Sequence, residues 1–415
     1  TGALRVRAQR WREVFATAPR DEWITRLRAA GIAAEPVYGP GEVLADPHVA
    51  EVGLALPLAD AGHDDVVAAT PVSVLPLTDA ATATARAPAP AAAARSAERD
   101  GTTGRGLLAG LRVLDFSAFV AGPLAAEVLA DLGAAVVKVE PPQGEAMRGA
   151  AYAIAACQRG KRSLAMDINA PEARPIVERL IRWADVVLHN FRVGVSERLG
   201  IDEATVGRLN PGAVYCHASA FGPTGPRARF PGNDALMQAL TGFEQAIGGA
   251  GNDPIAATWI PVDMVGGWVA ATGILAGLYA RATTGRGQRV ATSLLGAGML
   301  LHSGVFRRDG AIVRGPELDG DQTGFGPGYR LYEAGDGRWV AVVVPTREAW
   351  MRLRGEVPGL PEAYTPLRRT PDDPDARAAE DALAAALASA PAQQWVERLH
   401  DLGVPAEPVD AVDRD

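Results

Sequence analysis

The chain has very few cysteines: Cys157 and Cys216 are the only two among 415 residues. Two cysteines cannot form a disulfide framework, and such scarcity is typical of proteins from a reducing compartment. Neither cysteine lies in a CxxC or other zinc-ligand spacing. We therefore expect a cytoplasmic protein without a metal site.

Positive charge is also scarce relative to negative charge. Lysine and arginine total 41 against 49 aspartate and glutamate residues, which gives a net charge of -8. An acidic chain is a poor nucleic-acid binder, although this balance is compatible with one local basic pocket. Nucleic acid is therefore not an expected partner.

Long hydrophobic runs are absent as well. The first 20 residues contain five arginines and no apolar stretch, so no signal peptide is indicated. A long uncharged run, residues 264–280, contains four glycines and falls short of a membrane span. It predicts a closely packed buried helix, and we expect no membrane association. Hydrophobic residues at 48% and charged residues at 22% are typical of a globular chain.

Common catalytic signatures are missing too. The sequence contains no HExxH zinc motif and no GxSxG nucleophile elbow. The string GKRS at residues 160–163 resembles the end of a phosphate-binding loop, but Ala155 stands where that motif needs glycine. Zinc-hydrolase, serine-hydrolase and P-loop chemistry are therefore not indicated.

One segment of the sequence occurs twice. Residues 15–37 read FATAPRDEWITRLRAAGIAAEPV, and residues 387–409 read LASAPAQQWVERLHDLGVPAEPV. The identical residues share one offset, and a period this long does not fit a solenoid. We predict two copies of a whole domain, of which the first is present only in its late part. This is the arrangement expected for part of a tandem fusion.

A segment rich in alanine, proline and threonine, residues 79–106, predicts a linker between the copies. It divides the chain into the C-terminal portion of a first copy, residues 1–78, and a second copy, residues 107–415, that we expect to be incomplete at its C-terminus. Strands alternate with helices in residues 107–230, which predicts an α/β large domain with a Rossmann-like parallel sheet. Residues 231–415 predict long helices and a smaller α+β domain.

The pattern also predicts the individual elements of the second copy. Strands are expected at residues 111–116, 134–140, 163–167, 185–189, 214–218, 329–332 and 338–344. Helices are expected at residues 122–132, 171–183, 235–242 and 265–280.

Basic and polar side chains lie in two groups, one after a probable loop and one after the predicted strand at residues 185–189. They are Arg159, Lys161, Arg162, Asn190, Arg192 and Arg198, with Phe191 among them. Each alone is consistent with a solvated surface charge. Because ligands of open α/β sheets bind beyond the carboxyl ends of the strands, together they predict a site for an anionic, phosphate-bearing ligand.

Asp263 lies in WIPVDMVGGW, residues 259–268, at the start of an apolar helix. Aspartate is a favoured helix cap, and a carboxylate near a helix N-terminus in a dry site can also be a nucleophile. The pattern alone leaves both interpretations open, and Asp234 is ambiguous in the same way. His189 and His217 are either alternative catalytic bases or structural residues at strand ends.

Six strings in one order resemble the class III CoA-transferase family of the CaiB/BaiF type, which includes formyl-CoA transferase and α-methylacyl-CoA racemase. Between residue 111 and about residue 290 they read LRVLDFSAFVAGPLAAEVLADLGAAVVKVEPP, RGKRSLAMDINAPEAR, ADVVLHNFRVGVSERLGI, LNPGAVYCHASAFGPTGP, PGNDALMQALTG and VDMVGGWVAATGILAGLYARATTGRGQRV. Residues 8–78 resemble the C-terminal portion of another copy. The resemblance implies the CoA-transferase family III fold and an interlocked dimer, formed by two chains or as a pseudo-dimer within one chain.

The resemblance also implies an activity, the transfer of CoA from an acyl-CoA to a carboxylic acid. Coenzyme A is then a substrate, and no permanently bound cofactor is expected. The family's nucleophilic aspartate corresponds to Asp263, which would form a mixed anhydride and then an enzyme–CoA thioester. An active-site glycine loop is implied at Gly324 and Gly326. The implied CoA contacts are Val120, Ala121, Met166, Asp167, Ile168, Asn169, Asn190, Phe191, Arg192, Arg198, Pro231, Gly232, Asn233 and Asp234.

Some positions depart from the family pattern. Asn233 stands where racemase relatives carry histidine, and asparagine cannot exchange a proton, which argues against racemisation. Ala118 and Val120 replace polar residues of formyl-CoA transferase, which argues against oxalate or formate and for a larger or less polar acyl group. Pro141 stands where the family often has arginine. An acyl-CoA isomerase, a fused-transferase lyase and a non-catalytic structural copy remain the alternatives.

Overall fold

The computed structural model describes residues 10–60, 62–78, 106–150, 156–368 and 373–409. The chain divides into two compact units. Unit 1 comprises residues 1–243 and 256–313, and unit 2 comprises residues 244–255 and 314–415. Most of the helical segment after residue 231, which the sequence-based division grouped with the small domain, therefore belongs to unit 1. Residues 79–105 of the predicted linker lie outside the described residues.

The strands of unit 1 are β1 Ala55–Asp60, β2 His63–Ala68, β3 Val72–Pro76, β4 Arg112–Asp115, β5 Ala135–Glu140, β6 Lys161–Ala165, β7 Val186–His189, β8 Val214–Ser219, β9 Gln288–Ser293, β10 Phe306–Arg308 and β11 Ala311–Val313. Its helices are α1 Arg20–Ala29, α2 Pro47–Glu51, α3 Ala121–Asp131, α4 Arg174–Trp183, α5 Val195–Leu199, α6 Glu203–Leu209 and α7 Asp234–Thr241. After α8, Phe243–Gly248, at the division between the units, unit 1 continues with α9 Pro261–Thr284 and α10 Leu294–Leu301.

A seven-stranded sheet in the order β3-β9-β8-β7-β4-β5-β6 forms the centre of unit 1. The strands from β4 to β9 are parallel, and β3 pairs antiparallel with β9 at one edge. This confirms the predicted α/β fold with a parallel sheet. The chain moves outward from β4 through β5 to β6, then from β7 through β8 to β9 on the other side. The topological switch point therefore lies between β4 and β7.

The predicted strands and helices of this sheet are confirmed, with end points that differ by a few residues. The largest shift among the strands is in β6, which begins at Lys161 rather than at residue 163. This strand pairs only with β5 and is largely exposed, so it carries charged residues that an apolar pattern misses. The helix expected at 265–280 extends over Pro261–Thr284, because Pro261 starts it and Gly285 ends it in a left-handed conformation.

The segment that precedes the predicted linker is an integral part of unit 1. β3 pairs with β9 over five residues, and β2 pairs with β10 in a second sheet of order β1-β2-β10-β11. A side-chain contact also joins the two segments, since His48 Nε2 lies 2.8 Å from the carbonyl oxygen of Phe221. Residues on both sides of the linker therefore complete one core. The assignment of residues 1–78 to a separate domain copy remains a prediction.

Helix α9 is packed closely through its glycines. A Cβ on Gly267 would lie 2.7 to 2.8 Å from three side-chain atoms of Leu124 in α3, and one on Gly273 would lie 2.7 Å from Val290. By length and composition α9 could cross a membrane, but its glycine face is buried against α3 and the sheet. This agrees with the expectation of a buried helix.

Unit 2 contains the strands β12 Gly324–Gly326, β13 Tyr329–Glu333, β14 Trp339–Val343 and β15 Ala406–Val409. They form an antiparallel sheet in the order β12-β13-β14-β15. Its helices are α11 Arg347–Glu356, α12 Pro374–Leu387 and α13 Ala392–Asp401. They contribute to the apolar core of unit 2, in which Trp350 of α11 is fully buried. Unit 2 is thus the smaller α+β part that the sequence predicts.

We predict that Gly267→Val destabilises unit 1 by about 2 to 3 kcal/mol, because new methyl groups would overlap buried Leu124. Thr272→Ala, on the exposed side of the same helix, is the control and should change the stability by less than about 0.5 kcal/mol. Urea unfolding followed by circular dichroism measures both. Equal stability of the two variants would contradict the close packing of α3 and α9.

Candidate active site

The loop between β4 and α3, residues 116–120, begins at the switch point of the sheet. Its strand ends in Asp115, which is fully buried and accepts hydrogen bonds from the Ser117 N–H at 2.9 Å and from Lys161 Nζ at 2.9 Å. Lys138 Nζ donates to the Ser117 carbonyl oxygen at 2.6 Å. The start of the loop is therefore fixed by buried charges on three neighbouring strands.

These charges compensate one another. Burial would raise the pKa of Asp115, but the charges of Lys161 and Lys138 and the hydrogen bond from Ser117 hold it below its ordinary value. Lys138 also pairs with buried Glu145 at 2.8 Å. Removal of one partner would leave an unpaired buried charge, so loss of any of these residues would destabilise the start of the loop.

Asn190 connects the two strands that flank the switch point. Its Oδ1 accepts the Ala118 N–H at 2.9 Å, and its Nδ2 donates to the Ala118 carbonyl oxygen at 2.7 Å. Gly122 permits this approach, since a Cβ there would lie 2.4 Å from Cβ of Ser117. Of the implied CoA contacts, the structure therefore brings together Val120, Ala121 and Asn190. Both polar atoms of the Asn190 side chain hold this loop, and a contact of Asn190 with CoA stays a prediction.

The two histidines near this edge are bound to protein groups. His189 is fully buried, with Nε2 2.6 Å from the Tyr215 hydroxyl, and His217 Nε2 lies 2.7 Å from the Phe191 carbonyl oxygen. Their rings stack at 4.5 Å, and burial lowers the pKa of both. Neutral and paired, they support the backbone of residues 190–192, which favours their structural interpretation.

The remaining implied contacts around the sheet lie at the carboxyl ends of β6 and β7. Met166 and Ile168 pack into the core of unit 1, while the Asp167 side chain accepts the Asn169 N–H at 3.0 Å in a tight turn. Arg192 and Arg198 are exposed, and neither forms an ion pair with another described residue. Phe191 is partly buried against the same core. These loops share one edge because all their strands are parallel.

The predicted basic cluster is only partly available for an anion. Arg159 pairs with Glu127 and, at 2.6 Å, with Asp131. Lys161 pairs with Asp115 in the interior, where its charge stabilises the sheet. These ion pairs favour a structural role for both residues, and a phosphate contact by either stays a prediction. The exposed Arg162 keeps its side chain on the surface.

Asp263 lies in the first turn of α9 and is partly buried. Its backbone N–H donates to Asp234 Oδ2 at 2.9 Å, while its own carboxylate forms no hydrogen bond or ion pair with any described residue. Asp234 thus caps α9 from the neighbouring helix, and Asp263 does not cap it. Its carboxylate is left without a counter-charge.

The surroundings make ionisation of Asp263 costly. Burial raises the pKa of Asp263, and the nearby charge of Asp234 raises it further, to about 7. Asp234 is held in turn by Gln238, whose Nε2 also donates to the Ala257 carbonyl oxygen at 3.0 Å. Gln238 Oε1 accepts the Ala257 N–H at 2.8 Å. Gln238 therefore fixes the approach to α9, a role that sequence alone does not indicate.

The other residues of the PGND motif, residues 231–233, form the N-terminal cap of α7 and the segment that leads into it. Asn233 caps α7 through Oδ1, which accepts the Leu236 N–H at 3.1 Å. Pro231 and Gly232 lead into this cap, and a Cβ on Gly232 would lie 2.5 Å from Ala220. The asparagine in the position of the racemase histidine is therefore a helix cap.

Two non-glycine residues next to these groups adopt left-handed backbone conformations. Phe119 has φ 65°, and its side chain is 60% exposed in the loop before α3. Ile260 has φ 52° and immediately precedes α9. Backbone strain of this kind concentrates at functional sites because the surrounding fold must stabilise it. Residue propensities in the sequence do not predict a left-handed conformation at either position.

A cavity of about 970 Å³ lies elsewhere in unit 1, beside β3, β8 and β9. Its lining includes Arg286, Arg289 and His217 but neither Asp263 nor Ala121. Arg289 lies 3.4 Å from Glu203, and Arg286 donates to the Thr78 carbonyl oxygen at 2.6 Å. Because these polar groups already have partners, the strained loops and the unpaired carboxylate locate the site better than this cavity.

Comparison with known proteins decides the family. A sequence model described as CoA-transferase family III matches residues 5–96 and 108–414. The chain belongs to CoA-transferase family III. The match spans both sides of the linker, and the parallel sheet is the one that this family carries.

Curated relatives of this family III chain have several activities. It is 30% identical to acetyl-CoA:oxalate CoA-transferase from Acetobacter aceti over 74% of this chain and 81% of that protein. It is 34% identical to human alpha-methylacyl-CoA racemase over 57% of this chain and 60% of that protein. Among solved structures, Rv3272 from Mycobacterium tuberculosis has a TM-score of 0.63 at 28% identity and covers 75% of this chain and 84% of its own.

The predicted glycine loop of the family III chain belongs to unit 2. Gly324 and Gly326 are in β12, which pairs with β13. A Cβ on Gly324 would lie 2.4 Å from the Tyr329 carbonyl oxygen, and one on Gly326 would lie 2.4 Å from the Arg368 nitrogen. Close backbone packing therefore explains both glycines within unit 2. Their role as an active-site loop stays a prediction.

We predict that Asn190→Ala weakens acyl-CoA binding, because the loop at Ala118 loses two hydrogen bonds worth about 1 kcal/mol each. Asn210→Ala is the matched control, since Asn210 Nδ2 also donates to two backbone oxygens but at the opposite ends of the strands. Isothermal titration with acetyl-CoA should show a loss of affinity in Asn190→Ala alone. An equal loss in both variants would indicate general destabilisation.

We predict that Asp234→Asn lowers the pKa of Asp263, because the neighbouring negative charge is removed. Carboxyl-carbon NMR of isotope-labelled aspartate measures the titration, with Asp167→Asn as an exposed control that should leave it unchanged. In the wild type the folded pKa lies above the ordinary 3.8, so Asp263 stabilises the fold most at low pH, and this contribution is lost as pH rises through about 7. An unchanged titration in Asp234→Asn would contradict the coupling.

Proposed function

We propose that this chain is an acyl-CoA:carboxylate CoA-transferase in which Asp263 is the nucleophile. The observation that supports this most directly is the partly buried carboxylate without a counter-charge at the first turn of α9. Relatives named as oxalate, succinate–glutarate and citramalate CoA-transferases support CoA transfer in general. The nucleophilic role of Asp263 and the acids transferred by this chain belong to the proposal.

The proposed reaction proceeds by covalent catalysis. The Asp263 carboxylate attacks the thioester carbonyl of the donor, which forms a mixed anhydride and releases the CoA thiolate. The thiolate attacks the aspartyl carbonyl, which releases the donor acid and leaves an enzyme–CoA thioester. The acceptor carboxylate attacks this thioester and forms a second anhydride with release of the thiolate. Attack of the thiolate on the acceptor acyl carbonyl gives the new acyl-CoA and restores Asp263.

The surroundings of Asp263 fit these steps. With a pKa of about 7, a large fraction of Asp263 is ionised at neutral pH, and its burial leaves the carboxylate weakly hydrated. Weak hydration favours attack on the thioester and protects the anhydride from hydrolysis. The loop at residues 117–120, held by the hydrogen bonds from Lys138 and Asn190, would bind CoA beside α9, because Ala121 lies 3.6 Å from the position that a Gly266 Cβ would occupy.

Racemisation is the second candidate because of the human relative named alpha-methylacyl-CoA racemase. It requires two groups that exchange protons on opposite faces of the α-carbon. Asn233 cannot titrate and caps α7, while His189 and His217 are paired with protein groups. These contacts favour the transferase over the racemase.

Mass spectrometry of the intact chain after incubation with a panel of acyl-CoAs tests the proposal. We expect a covalent CoA adduct whose hydroxylamine or borohydride product maps to Asp263. Asp263→Asn should lose the adduct, because the amide is not a nucleophile. Glu172→Gln, which changes an exposed carboxylate of the same unit, should keep it.

Two other outcomes would contradict the transferase. Exchange of the acyl-CoA α-proton with heavy water, without any adduct, would indicate an isomerase. Binding of CoA without an adduct or exchange would indicate a non-catalytic copy. An adduct at another carboxylate would contradict the assignment of Asp263 while leaving the activity intact.

A further inference from the structure

The two copies of the repeated segment adopt the same local structure. α1, Arg20–Ala29, and α13, Ala392–Asp401, begin and end at corresponding residues, and each follows a proline with φ -59° and ψ 151°. Each is followed by a left-handed glycine, Gly31 or Gly403. Helical residues also precede both at corresponding positions, at residues 10–15 and in the end of α12. The copies therefore provide a direct comparison of one structure in two environments.

In unit 2 this segment closes the hydrophobic core. Its apolar residues pack with Trp350 and the inner face of β14. Leu383, Leu387, Leu399 and Val404 are 0% exposed, and Trp395 is 3% exposed. The segment then ends in β15, which pairs antiparallel with β14 over four residues.

In unit 1 the corresponding positions are also apolar, but they are not buried. Trp11, Phe15 and Ile32 are 60%, 42% and 52% exposed, and Trp23 and Leu27 are partly exposed. No residue of α1 is buried. The three aromatic rings contact one another, since those of Trp11 and Phe15 lie 5.9 Å apart and those of Phe15 and Trp23 lie 5.1 Å apart. Exposed apolar patches of this kind mark interaction surfaces.

The strand that ends the segment is also unpartnered in the first copy. Residues 34–37 correspond to β15, yet they form no strand with any described residue. Glu35 holds this stretch through ion pairs with Arg28 at 2.6 Å and with Arg227 at 3.7 Å. Arg28 Nε donates to the Ala34 carbonyl oxygen at 3.0 Å, while the other main-chain groups of residues 34–37 form no hydrogen bond with any described residue.

We propose that residues 10–37 are a docking surface for a further small domain of the unit 2 fold, one in which the position of residues 382–409 is open. Such a domain has an apolar core against which Trp23 and Leu27 can pack, as Trp395 and Leu399 do in unit 2. It also has a strand equivalent to β14, with which residues 34–37 can pair. A second copy of this chain is the less suitable occupant, because its own residues 382–409 already fill that position. This inference is independent of the catalytic proposal.

A peptide competition in the full chain tests the proposal. The variant Trp395→Ala with Leu399→Ala weakens the segment that closes unit 2, and Leu399→Ala alone serves where the double variant does not fold. A synthetic peptide of residues 382–409 that binds the variant and raises its melting temperature defines the assay. A peptide of residues 10–37 should then bind the variant with a Kd within about tenfold of the Kd of the 382–409 peptide.

The control is the peptide of residues 10–37 with Trp23→Ala and Leu27→Ala, which should not bind. The proposal is overturned if peptide 382–409 binds the weakened chain while peptide 10–37 does not, or if the doubly substituted peptide binds equally well. Binding of peptide 10–37 to the unmodified chain would make a second copy of this chain the occupant and contradict the assignment to a further small domain with an open position.

Discussion

The close contact between α3 and α9 is the constraint on which the site depends. Gly266 and Gly267 remove the side chains that would separate the helices, so that α9 approaches Ala121 and Leu124. Asp263 is one turn before these glycines. A side chain at the contact would shift the Asp263 carboxylate and the loop at residues 116–120 apart, because both are positioned by these two helices.

The charges around this contact serve two different purposes. Asp115 is buried with two lysines beside it, and its pKa is held down, so it stabilises the loop as a permanent anion. Asp263 is partly buried without a cation, and its pKa is raised. The difference between the two aspartates is one of environment, and it favours structure in the first case and reactivity in the second.

Much of the fold could be predicted from the sequence. The apolar strands and the helices between them follow simple periodicity, and the order of the strings indicated the family. The environment of Lys161 could not be predicted. The charged residues around it are typical of a surface strand, yet its amine reaches Asp115 in the interior. The pairing of β3 with β9 also gave no local signal, since it joins segments separated by the linker.

The site itself was predicted in part. Asp263 was found by resemblance, whereas its pattern left a helix cap open, and only the contact from Asp234 shows which residue caps α9. Phe119, Ile260 and Gln238 could not be found from the sequence. Backbone strain and side-chain pairing across the fold depend on tertiary contacts that one chain segment does not encode.

Isotope transfer during degenerate exchange tests the central claim most directly. The chain is incubated with an acyl-CoA that it accepts and with the same acid carrying heavy oxygen in its carboxylate. If Asp263 forms both anhydrides, each turnover transfers one carboxylate oxygen from the acid to Asp263, and the peptide that contains it gains that mass. Formation of labelled acyl-CoA without label in this peptide would contradict the account.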